Sequence, residues 1–179
     1  MTTLNITQQH TTPSVAQDIT RAPRVTLRGI AIGFIIVALV LTGYMSYQKF
    51  SAQSLQCSAT GVFNCAVLEN SAWAQLVFTP SIIIPTAFLG FMCHSLLLSL
   101  YTLENRIALL RTWNRALIFG ITLFGFMYHC YLTFYVAIYT MRALCTYCLI
   151  AHFIMTMLLI IASIRLIRDL KADQLAAVA

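Results

Sequence analysis

Two residue pairs in this chain have types and spacing suited to sulfur chemistry. Cys145-Thr146-Tyr147-Cys148 is a Cys-x-x-Cys, and Cys57 and Cys65 form a wider pair with seven residues between them. The Cys-x-x-Cys falls where an apolar run begins, so it is predicted at a helix N-terminus. Unpaired N–H groups and the helix dipole favour an anion there. A thiolate is the nucleophile in disulfide exchange, and such sites lower a thiol pKa into a range of about 3.5–7.5. Arg142, just outside, adds positive charge. A zinc site would use both pairs as four thiolates, but the wider pair does not have the usual two to four intervening residues. No metal ligand is therefore assigned. Two purely structural disulfides are the other reading of the same four residues. Cys93 and Cys130 fall within apolar runs, where thiols behave as small hydrophobes.

These residues must be positioned by elements that live in a bilayer. The chain of 179 residues is 60% apolar and only 9% charged, which excludes an ordinary soluble domain. A spanning helix needs about 20 apolar residues. Four runs qualify: Leu27 to Tyr47, Ile82 to Tyr101, Ala116 to Tyr139 and Leu144 to Ile164. Residues 1–20 are polar and expected to be a disordered tail, 21–168 the membrane domain, and 169–179 a second tail. The first run is too long for a signal peptide and no small-x-small cleavage site follows it, so it is read as a retained anchor.

The net charge of +6 sits at the ends of the apolar runs, so it reports orientation and gives no stripe for nucleic acid. Arg21, Arg24, Arg28, Arg106, Arg111, Arg115, Arg165, Arg168 and Lys171 collect on one side, against Lys49 and Arg142 on the other. The positive-inside rule then makes both termini cytoplasmic and puts all four paired cysteines on the opposite, oxidising side. That side is the periplasm for an inner-membrane protein, or the lumen for one of the endoplasmic reticulum. In the outer segment Asn64 is placed to cap a short helix starting near Cys65. Val67, Leu68, Trp73, Leu76, Val77 and Phe78 make that stretch apolar enough to lie on the membrane surface. The expected fold is thus an all-α integral membrane protein: a four-transmembrane-helix bundle with a short interfacial helix in the first outer loop.

Taken together, Cys57-Ser-Ala-Thr-Gly-Val-Phe-Asn-Cys65, then Ser71 and Trp73, then Pro85-Thr-Ala-Phe-Leu-Gly90, then Cys145-Thr-Tyr-Cys148 resemble the vitamin K epoxide reductase family. The resemblance runs from about Leu27 to Ile164, and it is the order of the motifs that is specific. The DsbB type of four-helix thiol oxidase has the Cys-x-x-Cys first and the separated pair later, the reverse of this chain. The resemblance implies catalytic Cys57, Cys65, Cys145 and Cys148. Cys57 would exchange with a DsbA-like thioredoxin-fold partner, Cys65 would attack Cys145, and Cys148 would be released beside a quinone, ubiquinone or menaquinone. Ser71 resembles a hydroxyl position near the family's active centre. Animal members hold their naphthoquinone with an Asn early in the second helix and a Tyr after the second motif cysteine; here Thr86 and His152 stand there. Ser71, Thr86 and His152 are accordingly the expected ring-binding residues. Many bacterial members carry a fused thioredoxin-like domain; only a short tail follows Ile164, so a stand-alone member with a separate partner is expected.

Ionisable groups inside a bilayer are costly and often mark function. His152 lies one turn beyond Cys148 on the same helix face and is expected to line the quinone pocket. His94 and His129 lie at similar depths and would suit a bis-histidine haem, which nothing else in the sequence supports. Tyr128, Tyr131, Tyr135 and Tyr139 share a face that could wall a ring or form an interfacial belt. Gly29 and Gly33 read as a close helix contact. The expected function is a quinone-dependent thiol oxidase supporting disulfide formation. The alternatives are a vitamin K epoxide or quinone reductase using the same cysteines, and a non-catalytic four-span scaffold with structural disulfides.

Overall fold

The computed structural model describes residues 15–53, 63–79, 82–104 and 108–178. Helix α1 is Val15–Phe50, α2 Cys65–Glu69, α3 Thr86–Leu103, α4 Ala108–Cys130 and α5 Thr146–Val178. Four stretches are long and apolar enough to cross a membrane: Leu27–Phe50, Thr86–Leu103, Trp113–Met141 and Thr146–Leu175. The shortest has 18 residues. At the rise of an α-helix that is about 27 Å, close to the apolar thickness of a bilayer.

Helix α1 packs along α3 and α5, and α4 along α5. Ala31, Ile35 and Ala38, spaced to share one face of α1, are buried with Leu97 and Tyr101 of α3 and Ile154, Met155 and Leu158 of α5. Small residues let backbones approach where no hydrophobic drive exists between helices in lipid. The close approach of α1 and α3 falls at Gly43, which faces the Phe91 ring, and Gly90, which faces the Thr42 methyl. It does not fall at Gly29 and Gly33, where an added Cβ would meet nothing within 4 Å. Ile36, Val40 and Ile160 are exposed and apolar, as a lipid-facing surface requires.

The cysteine-free end of the bundle is tied by charge. Glu104, at the end of α3, accepts both a 2.7 Å bond from Arg165 of α5 and a 3.3 Å bond from Arg115 of α4. Arg115 also pairs with Asp169, and the Arg165 guanidinium lies 5.0 Å from the centre of the Tyr101 ring. Asp169 belongs to a stretch expected to be a tail. The structure continues α5 through it to Val178, and α1 begins at Val15, within the other expected tail.

The opposite end departs from expectation in two places. Asn64 does cap α2, accepting the Val67 N–H at 3.3 Å, but the helix stops at Glu69. A 3₁₀ turn, Ala72–Ala74, leads into an antiparallel hairpin of β1 (Gln75–Thr79) and β2 (Ile82–Pro85). The second span therefore starts at Thr86 and not at Ile82. Pro85 disfavours helix at the residue before it, and three consecutive isoleucines fit a pleated surface better than a helix.

The second departure is in the third span. Helix α4 passes into a π-helix, Tyr131–Met141, ending at Arg142 in the left-handed conformation. The Thr140 hydroxyl donates to the Tyr135 carbonyl five residues back. A π-turn holds more residues than an α-turn. Side chains four apart lie nearly one above the other in either geometry. Tyr131, Tyr135 and Tyr139 accordingly stack in series, at 5.4 and 5.9 Å between centroids, with the Trp73 ring against the first two.

Candidate functional site: a sulfur pair at the mouth of an apolar cavity

The outer segment is stitched to the start of α5 by backbone. Phe63 bridges Leu144 in parallel, and the Asn64 N–H donates to the Leu144 carbonyl at 3.0 Å. Lys49 of α1 holds the far end of α2 through the Glu69 carbonyl at 3.0 Å. The next residues, Cys65 and Cys145, are thereby brought together: their sulfurs are 3.2 Å apart and both residues are buried, at 2% and 3% exposure. Cys65 is in a disulfide, while Cys145 and Cys148 carry free thiols. Cys57 lies outside the described residues.

Cys145 immediately precedes the first residue of α5. Its sulfur accepts a hydrogen bond from the Cys148 thiol, which lowers its pKa from 9.0 to about 7 against the upward push of burial. The backbone N–H groups of Cys148 and Tyr147 lower it further in the same direction. The helix terminus acts through those two N–H groups, and the larger cause is the Cys148 thiol. A sulfur nucleophile of this kind in van der Waals contact with a disulfide sulfur is arranged for thiol–disulfide exchange.

A cavity of about 470 Å³ opens beside the sulfurs. Cys65, Cys145 and Cys148 lie in its wall with Ser71, Trp73 and Thr86. Further along are Leu89, Gly90, Phe124, Leu132 and Val136, and then Cys93, His94, His129 and Met155. The size falls in the range of small-molecule sites, and the mix of apolar wall with few polar groups is typical of them.

The structure thus brings together Cys65, Cys145, Cys148, Ser71 and Thr86 from the predicted set. The Ser71 hydroxyl donates to the Leu68 carbonyl at 2.7 Å and that of Thr86 to the Ala74 carbonyl at 3.2 Å, so each proton is already engaged by backbone. His152 is not in the wall. Its ring packs against Phe126, His129 and Phe134, at 5.6, 6.3 and 6.0 Å between centroids. Helical periodicity put it below Cys148, but α4 and its π-helical continuation screen it. Of the four tyrosines, Tyr128 lines the cavity and the other three form the stacked ladder. His94 and His129, considered for haem, are both cavity residues, and among the described residues no group of three or more His, Cys, Asp or Glu could hold a metal ion. The signal for His94 was in the sequence: Thr86, Leu89, Gly90, Cys93 and His94 form one helical stripe.

A helical membrane bundle with two cysteine sulfurs in contact at the mouth of an apolar pocket fits the class of membrane oxidoreductases. The description of the vitamin K epoxide reductase family matches residues 30–163, and the chain belongs to that family. Disulfide and quinone redox chemistry at a membrane is the common ground of its members.

Proposed function

We propose that the protein is a membrane thiol oxidase that reoxidises a DsbA-like thioredoxin-fold partner and passes the electrons to a quinone, so supporting disulfide formation. The observation that carries this reading is the 3.2 Å approach of the Cys65 and Cys145 sulfurs beside a cavity that also reaches Cys148. A scaffold with structural disulfides has no use for two free thiols abutting a disulfide.

In this reading the partner's dithiol reduces the Cys57–Cys65 disulfide and leaves oxidised. The Cys65 thiolate attacks Cys145 of the closed inner pair, and Cys148 leaves as a thiolate. Cys57 then attacks Cys65, restoring the outer disulfide and freeing Cys145. That end point is the arrangement in which Cys65 is disulfide-bonded and Cys145 and Cys148 are thiols. A bound quinone would supply the sink for the two electrons and two protons released as Cys145 and Cys148 close again. Ser71 and Thr86 would bound the ring at the sulfur end, and the apolar wall would exclude water from the thiolate. Both termini would be cytoplasmic and the cysteines on the oxidising face of a bacterial inner membrane, as the basic flanks direct.

The test is turnover of the purified, full-length protein with reduced DsbA and a short-chain quinone. Replacing either Cys145 or Cys148 with Ser should leave the protein inserted and stop partner oxidation. Undiminished oxidation in either variant would refute the relay. Epoxide consumption with a dithiol, at a rate above that with quinone, would move the assignment to the epoxide reductase of the same family.

A further inference from the structure

His94 is a buried polar group that the relay does not use. It lies on the same stripe of α3 as Thr86, eight residues or about 12 Å along the helix. It is 1% exposed and belongs to the cavity wall. Its Nδ1 is 2.6 Å from the Gly90 carbonyl oxygen. A carbonyl has no proton to give, so Nδ1 carries the hydrogen, and in the neutral ring Nε2 is a bare acceptor. That Nε2 is buried and takes no hydrogen bond among the described residues. An unmet acceptor in a low-dielectric wall is costly unless a ligand brings it a donor.

The two redox forms of a quinone differ in this respect. The oxidised ring carries two carbonyl oxygens, which only accept. The reduced ring carries two hydroxyl groups, which donate. From the His94 geometry we infer that Nε2 is the acceptor for a hydroxyl of the reduced ligand, so that the cavity binds quinol in preference to quinone. The inference rests on the quinone reading above and adds the group that favours the product. His94 is electron- and proton-neutral in the balance. Two thiols become one disulfide, two electrons and two protons go to the ring, and Nε2 only receives the hydrogen bond of the hydroxyl so formed.

The test uses the full-length chain in lipid nanodiscs, with Cys148→Ser in every sample so that no ligand is turned over. Anaerobic affinities are measured for a short-chain benzoquinone and its hydroquinone. With His94 present, hydroquinone should bind more tightly than quinone, by roughly ten-fold for one buried hydrogen bond. His94→Leu should erase that preference by weakening hydroquinone alone, and His94→Gln, whose side-chain oxygen can accept, should restore part of it. A preference that survives His94→Leu, or equal weakening of both forms, overturns the inference while leaving the quinone site standing. Binding of neither form by the His94 protein overturns the quinone reading and this inference with it. A second readout needs no His94 variant. With ¹⁵N-labelled histidine, hydroquinone should shift the resonance of one bare Nε2 toward the hydrogen-bonded range and quinone should not. An unmoved signal under saturating hydroquinone overturns the inference.

Discussion

The N–H of Asn64 donates to the carbonyl of Leu144, at 3.0 Å, and with the Phe63 bridge beside it this bond sets Cys65 against Cys145 across 80 positions of sequence. The contact exists because two backbone segments are in register. In a Cys57→Ser/Cys148→Ser double variant both thiols that could resolve a Cys65–Cys145 disulfide are gone, so that link should form on oxidation and persist. Non-reducing peptide mass spectrometry reads it directly; Cys65 and Cys145 both remaining thiols under oxidation would contradict the geometry.

The acidity of Cys145 has a definite pH signature. Its thiolate is the reactive form. Alkylation of the reduced protein at Cys145 should rise with pH and level off above about 7. The largest cause is the Cys148 thiol, so Cys148→Ala should move the inflection up toward the ordinary 9.0. Bromobimane labelling resolved by peptide gives both curves.

Gly125 lines the cavity, and a side chain there would run into the end of Met155. Alanine needs only a rotation of that flexible thioether and should cost about 1 kcal/mol or less. Leucine has nowhere to go but the cavity. Gly125→Leu should lower quinone-dependent turnover by more than about ten-fold while exchange between the two cysteine pairs, followed with a dithiol, continues. Loss of both together would mean that the cavity is not separable from the sulfur site.

Glu104 is the joint of three helices. Burial pushes its carboxyl pKa up, but the bonds and charges of Arg165 and Arg115 outweigh this and hold it below the ordinary 4.5. A depressed carboxylate contributes stability above its ordinary pKa and loses it as pH falls through the folded value. Glu104→Ala leaves Arg165 without its partner and should cost roughly 3 kcal/mol. Thermal unfolding should show wild type falling more steeply than Glu104→Gln as pH drops below 4.5. Parallel curves would remove Glu104 from this role.

The bundle was legible because length and apolarity alone identify a spanning helix, and the cysteine spacing carried the sulfur site. What sequence missed has local causes. The second span starts late because Pro85 and the isoleucines before it select a hairpin over a helix. His152 follows Cys148 by one turn, yet it faces Phe126 and Phe134. A period of 3.6 gives the face of one helix and says nothing of what its neighbour covers. The π-helix of Tyr131–Met141 has no compositional mark, and it re-phases the wall formed by Leu132, Thr133, Val136 and Ala137. His94 shares a stripe with Thr86, but that its Nδ1 is already engaged by Gly90 is visible only in three dimensions.

The hydrogen bond that Cys148 gives to Cys145 can exist only while both sulfurs hold their electrons. It stabilises the dithiol and has no counterpart once the bridge closes. A pair whose reduced form is favoured is, as a disulfide, a stronger oxidant. In the proposed relay, the same contact that makes Cys145 the better leaving thiolate would therefore tilt the equilibrium between the two pairs inward, away from Cys65.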